Sequence, residues 1–371
     1  MNSLLRNATP HLAEALPFVN DEGVAGQLLV LKLQYQIAPG GELQLLPQAE
    51  SLAHEDRFDE DYQAPDFLAH LQAQGQNWAP LLRPADVMAP QPATNVLLLG
   101  HAYAPKADGV KQMEPWLGVG PAVFPMRVHG PRRWRSRWFL TRLFTLFIPR
   151  RFKQRQDGLV TRLPLLWQHA YGGFDAMRGR AAAQHWAYNP AGKGFHVDAK
   201  AATLAGLALP AIEDPRQPLA RWQDRRLPQL PGALNPLWSP RAALGGSRDA
   251  QWRATQAPAR PSDGTDMFHN TAHPALQFSP HLKGGEAIHA QGFSQDRRDL
   301  AFALPRHEFA LHSYHYGGFA RHDLPLNTVL LEPDRRRLTL LYRAFIPQKH
   351  QGQALRRLLL GSAEHPAEMR P

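Results

Sequence analysis

The sequence predicts a mainly β fold, with antiparallel, sandwich-like sheets, long ordered loops rich in proline and glycine, and few short helices. Three observations predict it. Apolar residues recur at period two in the strongest segments, helical windows are scarce, and proline (34 of 371 residues) is about twice its ordinary share. Proline fixes φ and lacks a backbone donor, so it belongs in turns, loops and strand edges rather than inside helices or central strands. Even with 28 glycines added, the two residue types stay below the roughly 25–30% that marks low-complexity chains, so a packed core is expected.

The clearest strand is LVLKLQYQI. Leu29, Leu31, Leu33, Tyr35 and Ile37 alternate with Lys32, Gln34 and Gln36, which predicts one buried and one wet face. APGG at 38–41 then turns the chain into ELQLLP as a hairpin partner. Residues 94–103, TNVLLLGHAY, read as a more deeply buried strand, and further strands are expected over 112–119, 122–129 and 159–168. Near the end, EPDR turns into RRLTLLYRAFI, with Leu338, Leu340, Tyr342, Ala344 and Ile346 on one face. Helical windows are confined to 66–74, a segment near Trp138, and 352–360.

This pattern divides the chain into an N-terminal extension (1–26), a β-rich unit (27–347) and a C-terminal tail (348–371). The β-rich unit is expected to be one interwoven domain, with two sandwiches as the alternative. It carries a basic amphipathic insertion at 131–157 and an irregular middle at 172–280. In that middle Trp186, Tyr188, Trp222, Trp238 and Trp252 serve either as buried anchors or as contact residues.

Forty-two Lys and Arg against 32 Asp and Glu leave a formal charge of +10, which suits an acidic partner. The absence of cysteine excludes disulfides, thiolate nucleophiles and Cys-based zinc sites. The opening MNSLLRNATP lacks the pattern of a secretory signal. No stretch approaches the roughly 18–20 apolar residues of a membrane-spanning helix, so a cytoplasmic protein is expected.

YNPAGKGF at 188–195 tests for nucleotide binding. A phosphate-cradling loop needs G-x-x-x-x-G-K-[ST] between a strand and a helix. Here Gly194 follows Lys193 and the fingerprint's first position is Ala187, so the run reads as a glycine-rich turn. No serine sits in a G-x-S-x-G elbow, and the acidic run HEDRFDED at 54–61 reads as a loop. His307, His312, His315 and His322 raise a metal-dependent hydrolase as an alternative. Zinc needs three or four converging ligands, and the spacing here favours ordinary packing or surface histidines.

Eight segments occur in one order: GHAYAP (100–105), LPLLWQHAYGGFD (163–175), NPAGKGF (189–195), LPAIEDP (209–215), PLWSPRAALGGSRDAQW (236–252), MFHNTAHPALQF (267–278), LKGGEAIHAQGF (282–293) and LNTVLLEPDRRRLTLLYRA (326–344). Together they resemble the bacterial family termed domain of unknown function 2169. The resemblance implies a non-enzymatic adaptor or chaperone for type VI secretion effectors that carry or pair with PAAR domains, seated on the VgrG spike. It implies no cofactor, no metal and no specific nucleic-acid partner. The signature positions are Gly100, His101, Tyr171, Gly172, Gly173, Asn189, Pro190, Gly192, Lys193, Gly194, Asp214, Pro215, Arg241 and Asn270. The chain departs from the family pattern at Gln168–His169, at Gly245–Asp249 and at HPALQ (273–277).

RRWRSRWFLTRLFTLFIPRRFKQR at 132–155 stands out as an insertion relative to that pattern. From Trp138 a helical wheel collects Thr141, Arg142 and Thr145 on one side and Phe139, Leu140, Leu143, Phe144, Leu146, Phe147 and Ile148 on the other, until Pro149. Arg132, Arg133, Trp134, Arg150 and Arg151 flank it. Three readings stay open: a cover for the core, a helix that docks a partner, or a contact of 138–148 with an anionic membrane surface.

Overall fold

The computed structural model describes residues 4–63, 77–136, 152–175, 184–197, 204–248, 250–257, 259–316, 318–350 and 352–362. The chain is mainly β, with several antiparallel sheets and a few short helices, as its period-two pattern predicts. The expected helix at 66–74, and Trp138, Phe139, Leu143, Phe144, Phe147, Arg150 and Arg151 of the insertion, lie outside the described residues.

The alternating segment forms the long strand Ala25–Ile37, the backbone of a seven-stranded sheet. Arg337–Pro347 pairs antiparallel along its length, and Leu12–Val19 takes the other edge, followed by the Leu43–Leu45 hairpin partner. Beyond Arg337–Pro347 come Leu326–Glu332, then Thr94–Leu98 in parallel, then Gln277–Phe278. Sequence-distant segments thus meet at the centre, where Leu29, Leu31, Leu33, Val96, Leu98, Leu330 and Leu340 are buried in the principal core.

The expected wet face of Ala25–Ile37 is not wet. Lys32 and Gln34 are buried, because the chain around 46–53 and 85–87 folds over that side. Lys32 donates to Asp86 (2.7 Å) and to the Ser51 carbonyl (3.0 Å), and Gln34 donates to Thr339 (3.1 Å). A charge leaves water only where a partner compensates it, and Asp86 does so here. Leu28, Val30, Leu52 and Leu341 complete a second apolar layer on the same side.

A second correction concerns 352–360. GQALRRLLL has helix-forming residues, yet Gln353–Ser362 is a strand. It lies inside a five-stranded sheet, parallel to Leu5–Asn7 and antiparallel to Phe309–His315, which in turn pairs with Gly318–His322. Leu358, Leu359 and Leu360 are all buried, so successive residues of this strand are covered on both faces at this point. Strand pairing therefore extends beyond 27–347 at both ends.

Two further strands differ in extent. The segment 94–103 splits at Gly100 into Thr94–Leu98 and His101–Tyr103, and 159–168 contributes Arg162–Pro164 followed by a 3-10 turn, Trp167–His169. Among the described residues, no helix is long and apolar enough to cross a membrane.

Candidate functional site

Three signature segments converge beside the end of the central sheet. Leu98 donates to the Pro231 carbonyl and Leu99 to that of Leu331, both at 2.9 Å, and Gly100 accepts from Leu165 N–H at 2.9 Å. His101–Tyr103 then pairs with Arg162–Pro164. GHAYAP, LPLLWQ and LLEPDR thus enclose an open cleft of about 440 Å³. Leu81, Leu82, Leu99, Leu165, Leu166 and Trp167 supply its apolar wall, while Arg57, Arg83, His101, Glu332, Asp334 and Arg335 supply its polar groups.

The polar groups are fixed by one another. Asp334 accepts from Tyr103 Oη and pairs with His101 Nδ1, both at 2.7 Å. Arg162 Nη2 reaches His101 Nε2 at 2.9 Å. A guanidinium only donates, so Nε2 is the acceptor and Nδ1 carries the hydrogen given to Asp334. Burial, and next the Asp334 carboxylate, push the Tyr103 phenol up to about 12. Both ring nitrogens of His101 are therefore engaged, and these hydrogen bonds tie the polar rim together. Gly100 fits beside this network because a Cβ there would stand 3.1 Å from Asp334 Oδ2.

The glycine motif forms a structural knot. Tyr171–Gly172 runs parallel to Lys193–Gly194. Gly173 N–H donates to the Asn189 carbonyl (2.9 Å), and Asn189 Nδ2 donates to the carbonyls of Trp167 (2.8 Å) and Tyr171 (3.1 Å). A Cβ on Gly172 would lie 2.0 Å from the Asn189 oxygen, with φ at +154°; only glycine permits this approach. Pro190 and Gly194 are buried while Lys193 is exposed, and through Asn189 the loop is fastened to Trp167, which lines the cleft.

The remaining signature residues hold neighbouring loops. Arg241 Nη1 donates to the Leu234 carbonyl (2.6 Å) and Nε to that of Phe268 (3.1 Å). Asn270 accepts from Asn95 at 2.8 Å. Asp214 pairs with Arg216 at 2.9 Å, next to half-buried Pro215. Trp238 is fully buried, whereas Trp186, Tyr188, Trp222 and Trp252 are half-buried.

At the insertion, Arg132–Ser136 pairs with Phe152–Gln156 as an antiparallel ribbon. Trp134 is 1% exposed, inside a second core with Tyr171, Phe195, Leu204, Leu209 and Leu219. Arg132 is buried against Glu213 (2.8 Å), the Pro210 carbonyl (2.9 Å) and Gln154 (2.9 Å). Both were candidates for a docking face, with a cover for the core as an alternative; they anchor the ribbon, because its alternate side chains point into this core. Arg133 is exposed and pairs with Asp157 at 2.5 Å. Glu213 was missed in the sequence, although IEDP lay within a quoted motif. It also pairs with His129 at 2.7 Å. Burial alone would raise its carboxyl, but His129 and Arg132 outweigh burial and hold it at about 2.

The histidines separate into two places. His307 Nε2 meets Tyr35 Oη at 2.5 Å and its ring stacks with Phe309. His315 and His322 share Ser313 Oγ at 2.9 and 2.7 Å. Among the described residues, no three His, Asp or Glu side chains form a group that could hold a metal ion. The departures at 168–169 face the chain's own loops: Gln168 donates to Asp59, and His169 is partly buried beside Lys193.

Fold and cleft together define a β scaffold whose signature residues hold loops in place around a surface recess. Its family follows from the sequence match: the profile described as an uncharacterized protein conserved in bacteria, DUF2169, covers residues 22–343, and the chain belongs to that family. No curated protein and no solved structure matches the chain.

Proposed function

We propose that this chain is a cytoplasmic, non-enzymatic adaptor that holds a type VI secretion effector carrying or paired with a PAAR domain and helps seat it on the VgrG spike. The observation that carries the reading is the convergence of three family signature segments on one recess of about 440 Å³. Its wall is apolar, and its arginines sit beside a His101–Asp334 pair held by Tyr103 and Arg162. Such a recess suits a side chain or short segment of a protein partner, with polar groups that fix orientation. The formal charge of +10 speeds encounter with an acidic cargo more than it raises affinity. Binding the folded cargo stabilises it by mass action.

The test is affinity purification of the tagged protein from its native cell, with mass spectrometry, alongside Arg57→Glu. Arg57 lines the recess, is exposed and has no ion pair among the described residues, so its reversal leaves folding intact. A PAAR-bearing protein in near-equal amount, reduced in the variant, supports the proposal. Wild type that brings down no such protein refutes it.

A further inference from the structure

We propose that the outer face and open edge of the C-terminal sheet dock an acidic, extended segment of a partner protein, which pairs with Gly318–His322 as an added strand. This inference rests on the adaptor reading and names a second surface, apart from the cleft. The sheet's order ends at Gly318–His322, which pairs on one side with Phe309–His315 and on the other with no strand among the described residues. A terminal strand offers unpaired N–H and C=O groups to an incoming chain.

The register decides what this edge presents. Phe319 lies opposite Tyr314, which lies opposite Arg357; Arg321 lies opposite His312, which lies opposite Leu359. These two rows are two residues apart, so they share a face. The intervening row of Ala320, Ser313 and Leu358 points the other way, and Ser313 and Leu358 are fully buried. The outer face therefore carries the exposed Phe319, Arg321 and Arg357 beside half-buried Tyr314 and His312. Leu359, at the inner end of the Arg321 row, is buried and lies outside the proposed contact. Phe319 and nearby Tyr316, at 68% and 62% exposure, are the most exposed large apolar side chains described, and Arg356 stacks over the Tyr316 ring at 4.0 Å.

Charge selects the occupant. Arg321, Arg356 and Arg357 are exposed and form no ion pair among the described residues, while Asp323 falls beyond the end of the strand. Burial, and next the charge of Arg321, hold the His312 imidazole below its ordinary value, so the arginines carry the charge at neutral pH. A second copy pairing edge to edge would set Arg321 among like charges, which is destabilising. A strand with a carboxylate opposite Arg321 and an apolar residue two places away, opposite Phe319, satisfies both positions.

The probe is the labelled peptide Glu-Thr-Val-Thr-Glu-Thr-Val-Thr-Glu, with a counterpart in which every Glu is Lys. A thymidine oligonucleotide and phosphatidylglycerol vesicles are run in parallel, all by anisotropy or flotation on the full chain. The acidic peptide is expected to bind and the Lys peptide not to bind. Phe319→Asp with Arg321→Glu weakens the acidic peptide at least about tenfold, or about 1.4 kcal/mol; both side chains are exposed, and circular dichroism verifies the fold. Bound peptide slows amide exchange over 318–322 in the wild type. The inference is overturned if the acidic peptide does not bind, if the double variant binds it equally, or if the oligonucleotide or vesicles bind more tightly through the same two residues. Native purification separates the two readings. A PAAR partner captured equally by the double variant overturns this surface alone, whereas peptide binding without any PAAR partner overturns the adaptor reading alone.

Discussion

Replacing Glu213 by Gln tests how the insertion ribbon is fastened. Glu213 is 4% exposed and receives His129, Arg132 and the Leu219 N–H at 2.7, 2.8 and 3.1 Å. Its carboxyl is held at about 2 against an ordinary 4.5. A depressed carboxyl contributes stability above its unfolded value and loses it as pH falls through the folded one. The difference of about 2.5 pH units corresponds to about 3 kcal/mol at neutral pH. At about pH 3 the unfolded carboxyl is mostly protonated and about 1 kcal/mol remains. With 371 residues, an unfolding entropy near 2.1 cal/mol/K per residue converts about 3 kcal/mol into a Tm loss of about 4 °C. Urea unfolding of wild type and Glu213→Gln at about pH 7, 5 and 3 should therefore give a gap that shrinks on acidification. A gap that stays constant down to about pH 3 would refute the assignment of this stability to the ionised carboxylate.

Three other outcomes follow from the structure. Gly172→Ala drives a Cβ against the Asn189 carbonyl and should cost about 3 kcal/mol or more. Lys193→Ala, on an exposed side chain, should change stability by less than about 0.5 kcal/mol; calorimetry of both separates a structural knot from an anion site. Burial holds His273 at about 4, with Asp214 raising and Arg216 lowering it, and its Nδ1 accepts from Ala275 N–H at 3.1 Å. The unfolded chain takes that proton first, so this stability is full above about pH 6.5 and is lost as pH falls through about 4. His273→Gln should flatten the slope of unfolding free energy against pH in that window, and an unchanged slope would count against it.

The β class was legible because period two survives any tertiary context that leaves one face apolar, as in Leu29 to Ile37. What covers the other face was not legible. Lys32 and Gln34 look like solvent residues until Asp86 and Ser51, distant in sequence, are folded onto them. The run Leu358–Leu360 was ambiguous for a related reason: a short apolar run does not distinguish a helix from a strand buried on both faces. Leu5–Asn7 and Phe309–His315 decide it. The glycine turn at 188–195 was readable from local chemistry, since Lys193 lacks the hydroxyl neighbour and helix of a phosphate loop. The recess was not readable, because Gly100, Leu165 and Asp334 meet only through long-range pairing. Trp134 and Arg132 resemble interface residues in composition, and burial against Glu213 and Tyr171 distinguishes them only in three dimensions.

The most direct test of the adaptor account is a comparison of the proteins secreted by native cells with and without this chain. The account predicts that its deletion removes one PAAR-bearing effector from the medium and leaves the others. Wild type should restore that effector, and Arg57→Glu should restore it poorly. Unchanged secretion of every effector in the deletion strain would contradict the account.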